Sequence, residues 1–227
     1  MKNNTSIEDY LKNIYSLKQS GGKVSTSQLA EKMNISSASV SEMLSKLAKS
    51  GFVKHTPYKD PELTKKGDEI AVNLIRKHRI WEVFLTEYLK YPWDKIHNEA
   101  EMLEHASSDD LIAKLEEFLN FPAHDPHGHP IPDRNGNIAK DKSIKLTELN
   151  IGDKATIVRV SDESSEVLVY LTKMNIKLND QILILDKINF DNSVQISCNN
   201  EKIFLSDKLA SNIFVNNTND KNKTGKL

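Results

Sequence analysis

The sequence predicts a mainly α-helical chain that ends in a small β domain. Three observations predict it. Apolar residues recur at helical spacing from Ile7 to Leu119, proline and glycine collect over residues 122–136, and beyond them the apolar period shortens to two. At 227 residues, 38% hydrophobic and 28% charged, the chain has a globular composition with room for two small domains and a further module. No apolar run approaches the roughly 20 residues a membrane span needs. Met1-Lys2-Asn3-Asn4-Thr5-Ser6 lacks the apolar core of a secretory signal, so a cytoplasmic location without a membrane partner is expected. The single cysteine, Cys198, excludes an intramolecular disulfide framework and fits the same reducing compartment.

The first helix spans residues 6–19, with Ile7, Tyr10, Leu11, Ile14, Tyr15 and Leu17 on its apolar side, and stops at Gly21-Gly22. A short second helix starts near Ser25-Thr26-Ser27 and buries Leu29, Ala30 and Met33, and Asn34-Ile35 makes a tight turn. The third runs from Ser36 or Ser37 to Ser50, with Val40, Met43, Leu44 and Leu47 inward, and ends at Gly51. Phe52–His55 and Glu62–Thr64 then form two short strands around Lys59-Asp60-Pro61. This succession is a winged helix-turn-helix over residues 1–65. The outer side of its third helix offers Ser36, Ser37, Ser39, Glu42 and Lys46. Small hydroxylated residues allow close approach to base edges and phosphates, Lys46 can pair with the backbone, and a helix N-terminus favours phosphate. Residues 1–65 hold ten lysines against six acids, so double-stranded DNA is the expected partner; docking of a protein is the alternative, since winged helices serve both uses.

A long helical pattern follows from Thr64 to Leu89, carrying Ile70, Leu74, Ile75, Trp81, Val83, Phe84, Leu85 and Leu89. So many apolar residues on one helix imply that it buries more than one face, part of it against a second subunit, and a homodimer is expected. Pro92 breaks the pattern, Trp93 to about Ala106 forms the next helix, and Ser107/Ser108 with Asp109-Asp110 caps another through Leu111, Leu115, Phe118 and Leu119. These helices are expected to make a helical dimerisation domain over residues 66–133, followed by a linker at 134–145. Five short strands at 155–160, 167–170, 181–185, 193–197 and 201–205 point to a small β-barrel over 146–215. The Asn/Lys-rich stretch 216–227 is expected to be disordered.

Each helical residue advances by about 100°, so His97, Glu101, Glu104 and His105 fall within about 100° of one another. His78 and Glu82, four apart, share a face in the same way. Imidazole and carboxylate without thiolate is a donor set for a divalent cation, and beside a DNA-binding head it points to a metal-gated DNA binder. The competing classes are a metal-independent winged-helix regulator and a metal-dependent hydrolase. The chain has no His-Glu-x-x-His, no glycine-rich phosphate loop and no nucleophile elbow, so binding rather than catalysis is expected.

Four segments, in order along these elements, carry a resemblance. They are Glu8-Asp9-Tyr10-Leu11-Lys12-Asn13-Ile14-Tyr15, Arg76-Lys77-His78-Arg79, His97 to His105, and Asp125-Pro126-His127-Gly128-His129-Pro130-Ile131-Pro132. Over residues 5–215 the chain resembles the DtxR/MntR family of metal-dependent transcriptional repressors, in the long form with a C-terminal FeoA-like, SH3-like barrel. The resemblance implies a homodimer that binds operator DNA when its metal sites are filled. It implies an effector site of Asp9, Glu101, Glu104 and His105, and a second site of His78 and Glu82, with His97 nearby, completed by Asp125, His127 and Asp162. Lys12 departs from the glutamate of one group of manganese sensors, which argues against their closely spaced binuclear centre. Asp9 and Glu101 stand where iron- and toxin-linked members have Met and Cys, and Asp125 where some relatives have Cys. A set of carboxylates and imidazoles is hard and suits Mn²⁺ or Fe²⁺, while Zn²⁺ or Co²⁺ can substitute in vitro through the Irving–Williams order.

Overall fold

The computed structural model describes residues 2–19, 21, 23–56, 59–162 and 164–217. They pack as two compact units. One comprises residues 1–78, 102–114 and 131–138, the other residues 79–101, 115–130 and 139 onward, so both draw on the helical segment 66–133.

The first unit is built on α1 (Lys2–Gln19), α2 (Thr26–Lys32), α3 (Ser37–Lys49), β1 (Val53–Lys54), β2 (Glu62–Leu63) and the start of α4 (Lys65–Glu87). Its core is the apolar set expected from helical spacing: Tyr10, Leu11, Ile14, Leu29, Val40, Leu44 and Leu47, with Val53 and Leu63 from the wing. Ser25 and Gln28 close a capping box at the start of α2. Asn34 takes a left-handed φ of 52°, and Ile35 N donates to Ala30 O at 3.0 Å, which makes the tight turn into α3. Ser36 caps α3 by accepting from Ser39 N at 3.1 Å. The wing pairs Val53 with Leu63 and Lys54 with Glu62.

The end of α5 (Ile96–Ala106) and most of α6 (Asp109–Phe118) also belong to this unit. Lys77 on α4 fixes the α5–α6 junction: its ammonium donates to Ser107 O at 2.8 Å and pairs with Asp109 at 2.9 Å. Ser108 caps α6 through Leu111 N at 3.1 Å. Helix α5 begins at Ile96 rather than Trp93, because Lys90 takes φ 59° and Lys95 N closes a turn onto Pro92 O.

In the second unit six antiparallel strands run in the order β3-β8-β4-β5-β6-β7. They are β3 (Ile144–Lys145), β4 (Lys154–Val160), β5 (Gln181–Ile188), β6 (Ser193–Cys198), β7 (Glu201–Leu205) and β8 (Ile213–Asn217), with α7 (Ser165–Lys173) after β4 and α8 (Asp207–Ala210) after β7. Their core gathers Leu146, Leu149, Ile157, Leu168, Ile184, Ile196, Leu205 and Val215. Edges β3 and β7 are not paired with each other among the described residues, so the barrel stays open.

Three expectations are corrected here. Residues 167–170, expected as a strand, lie in α7, which buries Val167, Leu168 and Leu171. A short continuous apolar run fits either period, and here the one-sided stripe decides for helix. Strand β3 falls in the expected linker. Asn216 and Asn217, expected in the disordered tail, pair with Thr156 and Ala155 of β4, since the polar end of a strand carries no apolar alternation to announce it; the rest of that tail lies outside the described residues. Among the described residues no helix is long and apolar enough to cross a membrane.

One local irregularity positions chemistry. The β4–β8 register shifts between Ile157 and Arg159, leaving Val158 as a bulge. Gly128 packs there with φ 91°, and a Cβ on it would sit 2.1 Å from Val158 O. His127 O accepts from Val160 N at 2.9 Å. The Pro-His-Gly loop is thereby joined to the strand that leads to Asp162.

Candidate metal centres and nucleic-acid interface

Helix α1 presents Glu8, Asp9 and Lys12 within five residues, and α5 presents Glu104 and His105 side by side. His105 Nδ1 is 2.7 Å from Glu8 Oε2, and His105 Nε2 is 2.8 Å from Asp9 Oδ1 and 3.6 Å from Glu104 Oε1. The Glu8 contact orients the ring so that Nε2 faces Asp9. His105 Nε2 meets Asp9 as an ion-pair contact and is counted in no hydrogen bond. Glu104 is fully buried; it accepts from Lys12 Nζ at 2.8 and 2.9 Å, and lies 2.5 Å from His78 Nδ1. His78, assigned from sequence to the second set, therefore also touches a residue assigned to the first. Glu101 precedes Glu104 by three positions on the same face of α5. His97 is half-exposed, and its Nε2 is 3.9 Å from Glu101 Oε2.

The second grouping lies around the loop at 124–130. Asp125 Oδ1 accepts from the backbone N–H groups of His127 and His129, both at 2.9 Å, which winds the loop and turns Oδ2 away. That Oδ2 is 3.4 Å from His129 Nδ1 and 3.5 Å from Arg79 Nε. His127 Nε2 donates to Trp93 O at 2.8 Å, which leaves Nδ1 3.6 Å from Glu82 Oε2. Ligand atoms of Glu82, His127 and Asp162 lie within 4.8 Å of one another, and so do those of Asp125, His127 and His129. Sequence reasoning missed His129, whose Nε2 is 3.9 Å from Asp162 Oδ1. It also missed Glu8; its place beside Asp9 and four residues before Lys12 was the available signal.

These residues fit a cation. Asp125 Oδ2, His127 Nδ1, His129 Nδ1 and His105 Nε2 are buried and make no hydrogen bond, an arrangement that costs about 1–3 kcal/mol per group unless something compensates. The donors are oxygen and nitrogen alone. Burial opposes the His127 imidazolium, but Glu82 first, then Asp125 and Asp162, outweigh burial and push its pKa up to about 9. Burial likewise opposes ionisation of Asp125, yet His129, Arg79 and His127 hold its carboxyl well below the usual range.

The raised His127 value fixes the sign of a pH effect. The group's ordinary pKa is 6.5, so its contribution to ion-free stability is fully present below pH 6.5 and is lost as pH rises through about 9. The expected loss is about 3 kcal/mol. Thermal unfolding of chelator-treated protein between these pH values checks it, and His127→Asn is expected to flatten the profile; an equal decline in that variant would refute the assignment.

On the outer side of α3, where DNA contact is expected from sequence, Ser36, Ser37, Ser39, Glu42 and Lys46 are all exposed. Lys46 Nζ pairs with Glu42 Oε1 at 2.7 Å, and this hydrogen bond and charge lower the Glu42 pKa.

A winged helix joined to buried clusters of carboxylate and imidazole defines a metal-responsive DNA-binding regulator. Residues 3–60 match the iron dependent repressor N-terminal DNA binding domain, residues 64–133 the iron dependent repressor metal binding and dimerisation domain, and residues 144–217 the FeoA domain. The diphtheria toxin repressor of Corynebacterium glutamicum is 30% identical over 214 residues, covering 89% of this chain and 92% of that one. The iron-dependent repressor IdeR of Mycobacterium leprae is 33% identical over 158 residues, 66% of this chain and 69% of that one. Among solved structures, a manganese-dependent transcriptional repressor in complex with manganese superposes with a TM-score of 0.88 at 35% identity, covering 93% of this chain and 99% of that one. The manganese regulator SloR does so with a TM-score of 0.80 at 36% identity, covering 93% and 98%. The chain belongs to the iron-dependent repressor family of metal-dependent, DNA-binding transcriptional regulators. The fold class expected from sequence is borne out.

Proposed function

We propose that this chain is a cytoplasmic, non-enzymatic repressor whose homodimer binds operator DNA when Mn²⁺ or Fe²⁺ fills its sites. The observation that carries this is the convergence of Asp9, Glu104 and His105 across α1 and α5, a helix of the DNA-reading head and a helix of the regulatory segment. Asp9, Glu104 and His105, with Glu101 one turn upstream on α5, are assigned to the effector ion. Glu82, Asp125, His127 and Asp162 are assigned to a second ion together with His78, with His97 in a supporting place; the spacing on α4 and α5, the grouping around His127 and the family resemblance support this set. The ion supplies the positive charge that lets clustered carboxylates share one place. Asp9 thereby couples the position of α1, and with it the winged helix, to ion binding. The carboxylate and imidazole donors suit Mn²⁺ or Fe²⁺, and similarity to both iron-dependent and manganese-dependent repressors supports that pair. Similarity to the ScaR structure with bound Zn²⁺, at 31% identity and a TM-score of 0.81, supports substitution by Zn²⁺ in vitro.

The homodimer has a surface to use. Phe84, Tyr88 and Phe118 cluster with ring centroids 5.7 and 4.8 Å apart for the Phe84–Tyr88 and Tyr88–Phe118 pairs, and Tyr88 and Phe118 stand about half exposed. A second subunit covering these rings removes apolar area from water.

The test uses a DNA fragment selected from a random pool by the Mn²⁺-loaded protein. Binding is expected to disappear on chelation and return with Mn²⁺ or, under anaerobic conditions, Fe²⁺. Unchanged affinity after chelation would sink the gating mechanism, and turnover of a substrate would revive the hydrolase reading. On the same fragment, Lys46→Ala is expected to weaken binding across all sequences and lower its salt dependence by about one unit of slope. Glu42→Gln is expected to strengthen binding several-fold at low salt, because it releases Lys46 and removes a negative charge from the α3 face. Weaker binding of the Glu42 variant would instead make that carboxylate a base contact.

A further inference from the structure

We propose that Lys12 is a tethered counter-cation of the effector cluster, holding Glu104 in the ion-free protein so that an incoming divalent ion must displace it. Lys12 thereby sets the ion concentration at which the repressor responds. The inference rests on the assignment of Glu104 as a ligand. A carboxylate that is fully buried carries a large desolvation cost unless a positive group compensates it. Lys12 supplies that charge: its Nζ straddles the carboxylate at 2.8 and 2.9 Å from the two oxygens, and is 3.3 Å from His78 Nδ1. Its side chain is only 14% exposed, so the pair is poorly screened by solvent.

The contested atom is Glu104 Oε1. It is 2.8 Å from Lys12 Nζ and 3.6 Å from His105 Nε2, the same nitrogen that lies 2.8 Å from Asp9 Oδ1. An ion held by Asp9, Glu104 and His105 therefore draws on an oxygen that Lys12 already uses. Asp9 and Lys12 are three residues apart on α1, so one helical face carries both an ion ligand and the group that competes with the ion. The pairing is crossed: acids of α1 meet the imidazole of α5, and the base of α1 meets the carboxylate of α5. The two helices are thus held together without a metal, and the ion exchanges one cation for another. A single ammonium loses this exchange only when the divalent ion is abundant enough, which makes the lysine a threshold.

Removing the ammonium removes both the competition and its repulsion of the ion. In the effective dielectric of a partly buried pair this corresponds to about ten- to a hundredfold in affinity. The test is a Mn²⁺ titration of the full chain without DNA, following the electron paramagnetic resonance signal of free Mn²⁺, for the wild type, Lys12→Gln and Lys12→Met. Both variants are expected to bind about ten- to a hundredfold more tightly. The Mn²⁺ midpoint for binding the selected DNA fragment should fall by the same factor. The ion-free melting temperature should drop while the rise produced by Mn²⁺ grows. Lys12→Arg keeps the charge and should stay close to the wild type. Equal or weaker binding in the Gln and Met variants overturns the proposal and leaves Lys12 as a group that positions Glu104. Should either variant fail to fold without metal, the other and the Arg variant still decide it. Glu104→Gln separates the two levels: undiminished Mn²⁺ binding there removes the ligand assignment itself, whereas lost binding there with unchanged binding in Lys12→Gln removes only the counter-cation.

Discussion

Glu104→Gln is expected to abolish ion-induced DNA binding while leaving the protein folded, whereas Glu104→Ala is expected to lose both the response and several kcal/mol of stability. The difference comes from where Glu104 sits. It is fully buried between Lys12 and His78. Glutamine keeps the shape and can still accept from Lys12, but its neutral amide is a poor ligand for a hard divalent ion. Alanine removes the partner of a largely buried ammonium, and breaking one side of a buried pair costs about 3–5 kcal/mol. His105→Ala should lose the response with a smaller stability cost, since His105 faces two partly exposed carboxylates rather than a buried one. Operator binding with and without Mn²⁺, set beside melting curves of the three variants, checks all of this. A normal Mn²⁺ response in Glu104→Gln or in His105→Ala would overturn the effector assignment.

Gly128→Ala is expected to destabilise the second unit by about 3 kcal/mol or more and to weaken ion binding at the second grouping. Two independent costs act at this position. A φ of 91° is one that side-chain-bearing residues rarely adopt, and the new Cβ would sit 2.1 Å from Val158 O. The carbonyl belongs to the bulge of β4, so relief requires moving either the strand or the loop. Moving the loop breaks the His127 O to Val160 N bond and carries His127 and His129 away from Asp162. Thermal unfolding and Mn²⁺ stoichiometry measure the two consequences. A variant with wild-type stability would show that the loop is not held against β4 as described.

Much of this protein is legible in its sequence because helical spacing is local. The Val40–Leu44–Leu47 stripe, the Asn34 turn and the Ser25 and Ser36 caps each declare themselves within a few residues, and the winged helix follows from them in order. The imidazole and carboxylate faces are local in the same way: His78 with Glu82, and Glu101 with Glu104 and His105. Where local patterns are silent or double-valued, the sequence misleads. The Val167–Tyr170 run fits two periods and folds as α7, and β8 ends in two asparagines that look like a tail. His129 carries no local signal of its own, because only the winding of its loop about Asp125 Oδ1 turns it inward.

By itself the sequence determined most of the helices, the exposed polar side of α3 and the donor chemistry of a metal-responsive regulator, since each depends on residues within a turn or two of one another. Only the tertiary structure decided which distant groups meet: Glu8 with His105 across 97 residues, and Lys12 with Glu104 across 92. It also decided which nitrogen of His127 faces a carboxylate, because Nε2 is taken by Trp93 O. The reason is physical. Periodicity is set by the backbone and is written in order along the chain, but the cost of burying Glu104, and the cation that offsets it, exist only once α1 and α5 have packed and excluded water.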